Sequence, residues 1–230
     1  MKTLYLLPGT QCTSRVWQYV LPHLEANFQV RHLHIPNDCS LDDNAAQICD
    51  LLEGDKVNII GFSLGGYIAS YIACKFPHKV NKLMVIANSP CSLKQDELVV
   101  RKNTLSILQL FGYKGMPVIR AASLLERREE EHIDLMLAMD KELGSDTLMS
   151  QLEHTSIRQD LMAKLTRLSG DICFIYSQND KLIDLDWMQR LAQQDLANIS
   201  QKGIQGKSHM LILEEGEMVA DEINTFFKYQ

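Results

Sequence analysis

Long apolar runs are missing from this 230-residue chain: none approaches the roughly 18 residues a helix needs to cross a bilayer. Positive charge is short as well. Lys and Arg number 23 against 29 Asp and Glu, for a net charge of −6, and no basic patch of useful size offsets it, so neither a nucleic acid nor a membrane surface is expected as a partner. The six cysteines (Cys12, Cys39, Cys49, Cys74, Cys91, Cys173) are scattered, with no C-x-x-C pair and no matching histidine spacing. That excludes a zinc site or disulfide framework on pattern and favours reduced thiols, mostly small core hydrophobes. Glycine and proline are sparse, at 12 and 6, and no repeat or low-complexity linker divides the chain. A single domain over residues 1–230 is therefore expected. The opening residues run into Pro8-Gly9 too early for a secretory hydrophobic segment, so a cytoplasmic protein is expected. What is present is enough: 46% hydrophobic residues over this length supply a well-packed α/β or barrel core and exclude a peptide hormone or a disordered tail.

Apolar runs bounded by turn residues alternate with stretches of helical spacing. Strands are expected at Thr3 to Leu7, Gln29 to Ile35, Lys56 to Ile60, Leu83 to Ala87, Ile172 to Ser177 and Ile199 to Gly203. Helices are expected at Trp17 to Leu24, Leu41 to Leu52 with Ser40 as N-cap, Leu64 to Phe76, Asp160 to Leu168, Asp186 to Ala192 and Glu217 to Phe227. Short β-α alternation predicts a mostly parallel sheet of about six strands with helices on both faces, because parallel strands need crossover connections. From about residue 90 to residue 158 the alternation stops. There the periodicity is helical throughout: one stretch opened by Ser92 and Asp96, a charged one from Arg120 to Leu143, and another after Ser145-Asp146. Such an insertion reads as an all-helical cap over the C-terminal edge of the sheet.

The chemistry centres on Gly61-Phe62-Ser63-Leu64-Gly65, a G-x-S-x-G sequence between an expected strand and an expected helix. A sharp strand-to-helix turn there strains the serine backbone and lifts its hydroxyl above the sheet, while the flanking glycines remove side chains that would collide. A serine hydroxyl needs a base to take its proton, and the base needs an orienting acid. His209, in a turn-rich loop after a late strand, is the candidate base; His23, His32 and His34 precede the serine, His78 ends a helix, and His132 and His154 fall in the insertion. Asp180, three residues past the Ile172 to Ser177 strand, is preferred as the acid over Asp184 and Asp186, which suit the N-cap and first turn of the next helix. The backbone N–H of Leu64, at a helix start, and that of Thr10, in the Pro8-Gly9-Thr10 turn, are the candidate donors for an oxyanion. No metal or organic cofactor is required by such chemistry.

With these residues in place, the chain resembles the α/β-hydrolase superfamily over nearly its whole length. The likeness is carried by Leu7-Pro8-Gly9 with Trp17 beyond it, Gly61 to Gly66, Ser89-Pro90, Asp180, and Gly206 to Met210 followed by Leu213-Glu214-Glu215. Within the superfamily it is similar to small carboxylesterases, pimeloyl-carrier methyl esterases and enol-lactonases. The resemblance implies a Ser63-Asp180-His209 triad, an oxyanion hole from Thr10 and Leu64, and a serine hydrolase cleaving a small-molecule ester or thioester. Pro8 stands where a histidine is common, which puts in question how the oxyanion loop is held. Two alternatives stay open at this level: a lyase or carbon-carbon bond hydrolase using the same triad on a small acidic metabolite, and a non-catalytic ligand receptor.

Other features have plainer readings. The run Glu126 to Glu131 suits a solvated helix face, and Met136, Met139, Met149 and Met162 suit packing between helices and sheet. Arg101 or Arg120 is a candidate anchor for a substrate carboxylate or phosphate. His32 and His34 share one face of an expected strand, with no further ligand near enough in sequence to suggest a metal.

Overall fold

Leucine-, isoleucine- and valine-rich segments form the centre of the computed structural model, which describes residues 1–228. Six strands, β1 (Lys2–Leu7), β2 (Phe28–His32), β3 (Val57–Phe62), β4 (Val80–Ile86), β5 (Asp171–Ser177) and β6 (Ile199–Ile204), pair in the order β2-β1-β3-β4-β5-β6. Every pairing is parallel. The helices between and after them are α1 (Leu41–Asp50), α2 (Leu64–Lys75), α3 (Gln95–Phe111), α4 (Val118–Ser123), α5 (Glu130–His154), α6 (Met162–Leu165), α7 (Leu185–Ala192), α8 (Leu211–Glu214) and α9 (Gly216–Lys228).

Strand residues alternate between two cores, as the period of two requires. Leu4, Leu6, Ile60, Phe62, Met84, Ile86 and Ile175 face one side, packed with α9 residues and with Leu135, Met136 and Met139 of α5. Tyr5, Leu7, Ile59, Leu83, Val85 and Phe174 face the other, against α1, α2 and α7. The chain builds outward from β1 to β2 and then returns to lay β3 on the other side of β1. This reversal is the switch point where open parallel sheets leave a crevice beyond their carboxyl ends. It brings the loop after β1 beside the end of β3, with Leu7 opposite Gly61.

Several expected boundaries moved. The spacing over Trp17 to Leu24 yields two short 3₁₀ turns, Ser14–Trp17 and Leu21–His23, instead of one helix. Pro22, lacking an N–H, cannot continue an α-helical ladder there. β2 stops at His32, so His34 lies beyond the strand. The stretch Asp160 to Leu168 is helical only over α6, because the Asp160 carboxylate is committed to Met162 N–H and the Trp187 indole. The charged stretch from Arg120 to Leu143 is broken between α4 and α5, whereas the break expected between Leu143 and Ser145 is present as a kink at Gly144 (φ 71°, ψ −170°), across which α5 runs on to His154. α8 was not foreseen: Leu211–Glu214 is apolar enough to pass for a strand. No helix among the described residues is long and apolar enough to cross a membrane.

Candidate active site

β3 ends in the G-x-S-x-G sequence, and Ser63 follows it as the N-cap of α2, with φ 50° and ψ −118°. A non-glycine residue held there costs on the order of 1–3 kcal/mol and persists only where its surroundings impose it. The surroundings here are backbone. A Cβ on Gly61 would lie 2.3 Å from the Gly65 carbonyl oxygen, and one on Gly65 would lie 2.3 Å from that of Pro8. The two glycines thus let the turn, the helix start and the loop after β1 close on one another. A Cβ on Gly9 would lie 3.0 Å from the Phe62 ring and 3.2 Å from the Ser63 Cβ, tighter than ordinary contact.

The other two polar partners come from the ends of β5 and β6. His209 Nε2 lies 2.9 Å from Ser63 Oγ, and its Nδ1 lies 2.7 Å from Asp180 Oδ2. A carboxylate only accepts, so Nδ1–H donates to Asp180 and Nε2 is left to accept the serine proton. Asp180 and His209 are buried, whereas Ser63 retains partial exposure. The second Asp180 oxygen accepts the Leu182 N–H at 2.9 Å, which fixes the carboxylate plane. The Phe62 ring packs tilted against the imidazole, with the two ring centres 5.7 Å apart.

Several contacts hold the histidine loop. Ser177 Oγ donates to the Ser208 carbonyl at 2.5 Å, and the N–H groups of His209 and Met210 both reach the Leu124 carbonyl, at 2.9 and 3.2 Å. The run Glu126 to Glu131, read above as a solvated helix face, begins instead as a turn that ties this loop down: Glu126 accepts the Lys207 N–H, and buried Glu214 accepts the N–H groups of Glu126 and Arg127. Arg127 then pairs with Glu215 at 2.5 Å. Charge clustering alone does not distinguish a turn laced by carboxylates from a solvated helix.

Asp184 serves the neighbouring helix. Its carboxylate caps α7 by accepting Trp187 N–H at 3.0 Å and pairs with Lys94 at 3.1 Å. Burial pushes its carboxyl up, but the Trp187 N–H and Lys94 outweigh that and hold it below the usual carboxylate range. Leu64 opens α2 directly after Ser63, and Thr10 lies in the turn after β1, next to Gly9. The cysteines are free, and burial pushes the thiols of Cys12 and Cys91 up to about 12 and about 11, which keeps them poor nucleophiles. Arg101 is committed to Glu97 and Thr155, while Arg120 is exposed. Among the described residues, no cluster of three or more His, Cys, Asp or Glu is disposed to hold a metal ion.

This architecture matches known proteins. A family model described as "alpha/beta hydrolase fold" matches residues 37–114. A thermophilic esterase from Thermogutta terrifontis superposes with a TM-score of 0.84 at 18% identity, covering 99% of this chain and 90% of that one. The chain has the α/β-hydrolase fold. In sequence it is similar to the pimeloyl-acyl-carrier-protein methyl ester esterases of Nitrosomonas europaea, 26% identical over 81% of this chain and 82% of that protein, and of Vibrio campbellii, 26% identical over 97% and 93%. On this fold, Ser63, Asp180 and His209 stand in the chain order expected for a nucleophile, an acid and a base.

The residues not anticipated are polar ones that meet the loop after β1. Gln11, Asp140 and Gln151 are all buried, and Gln11 donates to both of the others. The available signal was a lone Asp140 one residue past buried Met139, on an apolar face of α5.

Proposed function

We propose that the chain is a serine hydrolase cleaving an ester or thioester of a small-molecule acyl substrate. One observation carries the reading: an unbroken relay from Asp180 Oδ2 through both imidazole nitrogens to Ser63 Oγ, with each step at 2.7–2.9 Å, on a serine held at positive φ. In this reading His209 Nε2 takes the Ser63 proton as Oγ bonds to the acyl carbonyl carbon. The carbonyl oxygen becomes an oxyanion held by the Thr10 and Leu64 N–H groups. Collapse expels the alcohol or thiol, which leaves with the proton from His209. Water, deprotonated by the same imidazole, then attacks the acyl-serine and releases the acid. Asp180 keeps the required tautomer throughout and stabilises the imidazolium.

The helices between β4 and β5 act in this proposal as a cap within a single domain, the insertion spanning about residues 90–158. What supports it is where they touch: Leu124 reaches the histidine loop, Asp140 and Gln151 reach the loop after β1, and Thr147 and Ser150 bond Asn37 and Asp38 beyond β2. All are loops at the carboxyl ends of the parallel strands. The named activity of the relatives makes a methyl ester of a carrier-bound acyl chain one substrate to include among candidates.

A fluorophosphonate probe tests the reading. It should label the wild-type protein, and labelling should vanish in Ser63→Ala and fall at least 100-fold in His209→Ala, about the scale expected for removing a general base. A wild-type protein that binds ligands yet stays unlabelled refutes a serine hydrolase. Rates on p-nitrophenyl esters of increasing length, acyl-thioesters, lactones and acyl methyl esters then rank the leaving groups.

A further inference from the structure

The loop after β1, which supplies the Thr10 N–H in the proposed reading, contains a backbone outlier. Gly9 to Cys12 form a turn closed by the Cys12 N–H to the Gly9 carbonyl at 3.2 Å, and Gln11, third of the four, sits at φ 52°. That place in a turn with positive φ ordinarily takes glycine, and a side chain there costs on the order of 1–2 kcal/mol. Gln11 is nonetheless buried, and its main-chain N–H and side-chain amide N–H₂ are both bound by α5. Its N–H donates to Gln151 Oε1 at 3.0 Å; its Nε2 donates to Asp140 Oδ1 and to the Gly144 carbonyl, both at 3.0 Å. The Gly144 carbonyl sits at the kink, where helical φ/ψ is interrupted.

Asp140 is a fixed point. It is 1% exposed and also accepts the Met116 N–H at 2.7 Å and the Tyr113 hydroxyl. A carboxylate with three directed donors has little freedom to turn. Thr10 is thus held from two sides: Gly9 against Phe62 and Ser63, and Gln11 against Asp140 and Gln151.

We infer that Gln11 and Asp140 are a positioning pair for the oxyanion hole, in which the inserted helices hold the turn and so aim the Thr10 N–H. The inference rests on the serine-hydrolase reading. Neither residue touches the reacting atoms. The pair fixes the loop and couples it to the inserted helices. A misaimed donor weakens the transition state and leaves ground-state binding intact, so the effect falls on kcat and not on KM.

The experiment compares wild type with Asp140→Asn and Gln11→Ala, each normalised to titrated active sites. It reads three quantities: the rate of Ser63 phosphonylation by a fluorophosphonate, kcat and KM on p-nitrophenyl butyrate, and the melting temperature. Both variants should lose roughly 10- to 100-fold in phosphonylation rate and in kcat, as expected for a small misplacement, with KM within about threefold. The double variant should lose no more than the worse single one, because both act through one turn. A merely structural role lowers the melting temperature with kcat per titrated site within about twofold of wild type, and that result overturns the inference. Should Asp140→Asn fail to fold, Gln11→Ala decides the matter on the same criteria. A wild-type protein that the probe never labels overturns the hydrolase reading itself, and a labelled wild type with unaffected variants overturns only the positioning pair.

Discussion

The ends of β3, β5 and β6 and the helices between β4 and β5 meet at one site but are specified by different physics. At the strand ends, placement is local. A strand stops, a turn follows, and Ser63, Asp180 or His209 is set within five residues, so short-range sequence brings each group to the site, and for His209 the contacts to Leu124 and Glu126 then tie its loop down. The inserted helices reach the site through contacts between residues more than a hundred positions apart, such as Gln11 with Asp140 and Asp38 with Ser150. The strand ends therefore hold the groups that would react, and the helices hold the loops that carry them. A substitution at a strand end should change the chemistry or block the turn, whereas one in the helices should change how well the loops are aimed.

The sharpest test of that contrast is Asp180→Asn. Asparagine keeps an oxygen for the Leu182 N–H, which turns its amide N–H₂ toward His209 and forces Nδ1 to accept. The imidazole then carries its proton on Nε2, facing Ser63, where it cannot act as a base. Turnover should fall by about 10⁴-fold with the melting temperature nearly unchanged. A loss under tenfold, or an equal loss in Asp184→Asn, would show that Asp180 is not the orienting acid.

Gly65→Ala comes next and acts through sterics alone. Its Cβ would fall 2.3 Å from the Pro8 carbonyl oxygen and 2.6 Å from that of Leu7, both backbone atoms that a rotamer change cannot relieve. A stability loss of about 3 kcal/mol is expected, measured by urea unfolding, together with reduced turnover in the folded fraction as the loop after β1 is pushed off the helix start. An unchanged denaturation midpoint would mean that this junction is looser than its glycines imply.

How much was legible in the sequence follows the same division. The sheet, the elbow at Ser63 and the meeting of Asp180 and His209 rest on period-two alternation, glycine positions and chain order, all of which are written in short windows. The helices between β4 and β5 were visible only as periodicity. The break expected between Leu143 and Ser145 falls at the Gly144 kink, but Asp140 showed only as a charge on an apolar face of α5, and the partners outside that helix, Met116 and Tyr113, that make it a fixed anchor had no local signature. Glu126 and Glu214 escaped for the same reason: carboxylates that accept backbone N–H groups across 80 or more residues have no local signature. Pro22 is the opposite case, a local signal within the sequence that periodicity over Trp17 to Leu24 outweighed.

The smallest effect separates stability from chemistry at a strand end. Asp184→Ala removes the α7 cap and the Lys94 partner, and should cost about 1 kcal/mol at pH 7 with kcat within twofold of wild type. Because the folded state holds this carboxyl below its ordinary value of 3.8, its contribution is present above that value and is lost as pH falls through the lower folded one. The stability gap between wild type and Asp184→Ala should therefore be full at pH 7 and narrow once the pH drops below about 4. Asp184→Asn refines the point, since asparagine caps a helix about as well as aspartate but cannot pair with Lys94. It should lose only a few tenths of a kcal/mol, the usual scale of an exposed ion pair. A loss as large as that of alanine would move the energy from the cap to the Lys94 contact, and would make Asp184 a tie between the sheet and the inserted helices instead of a local helix start.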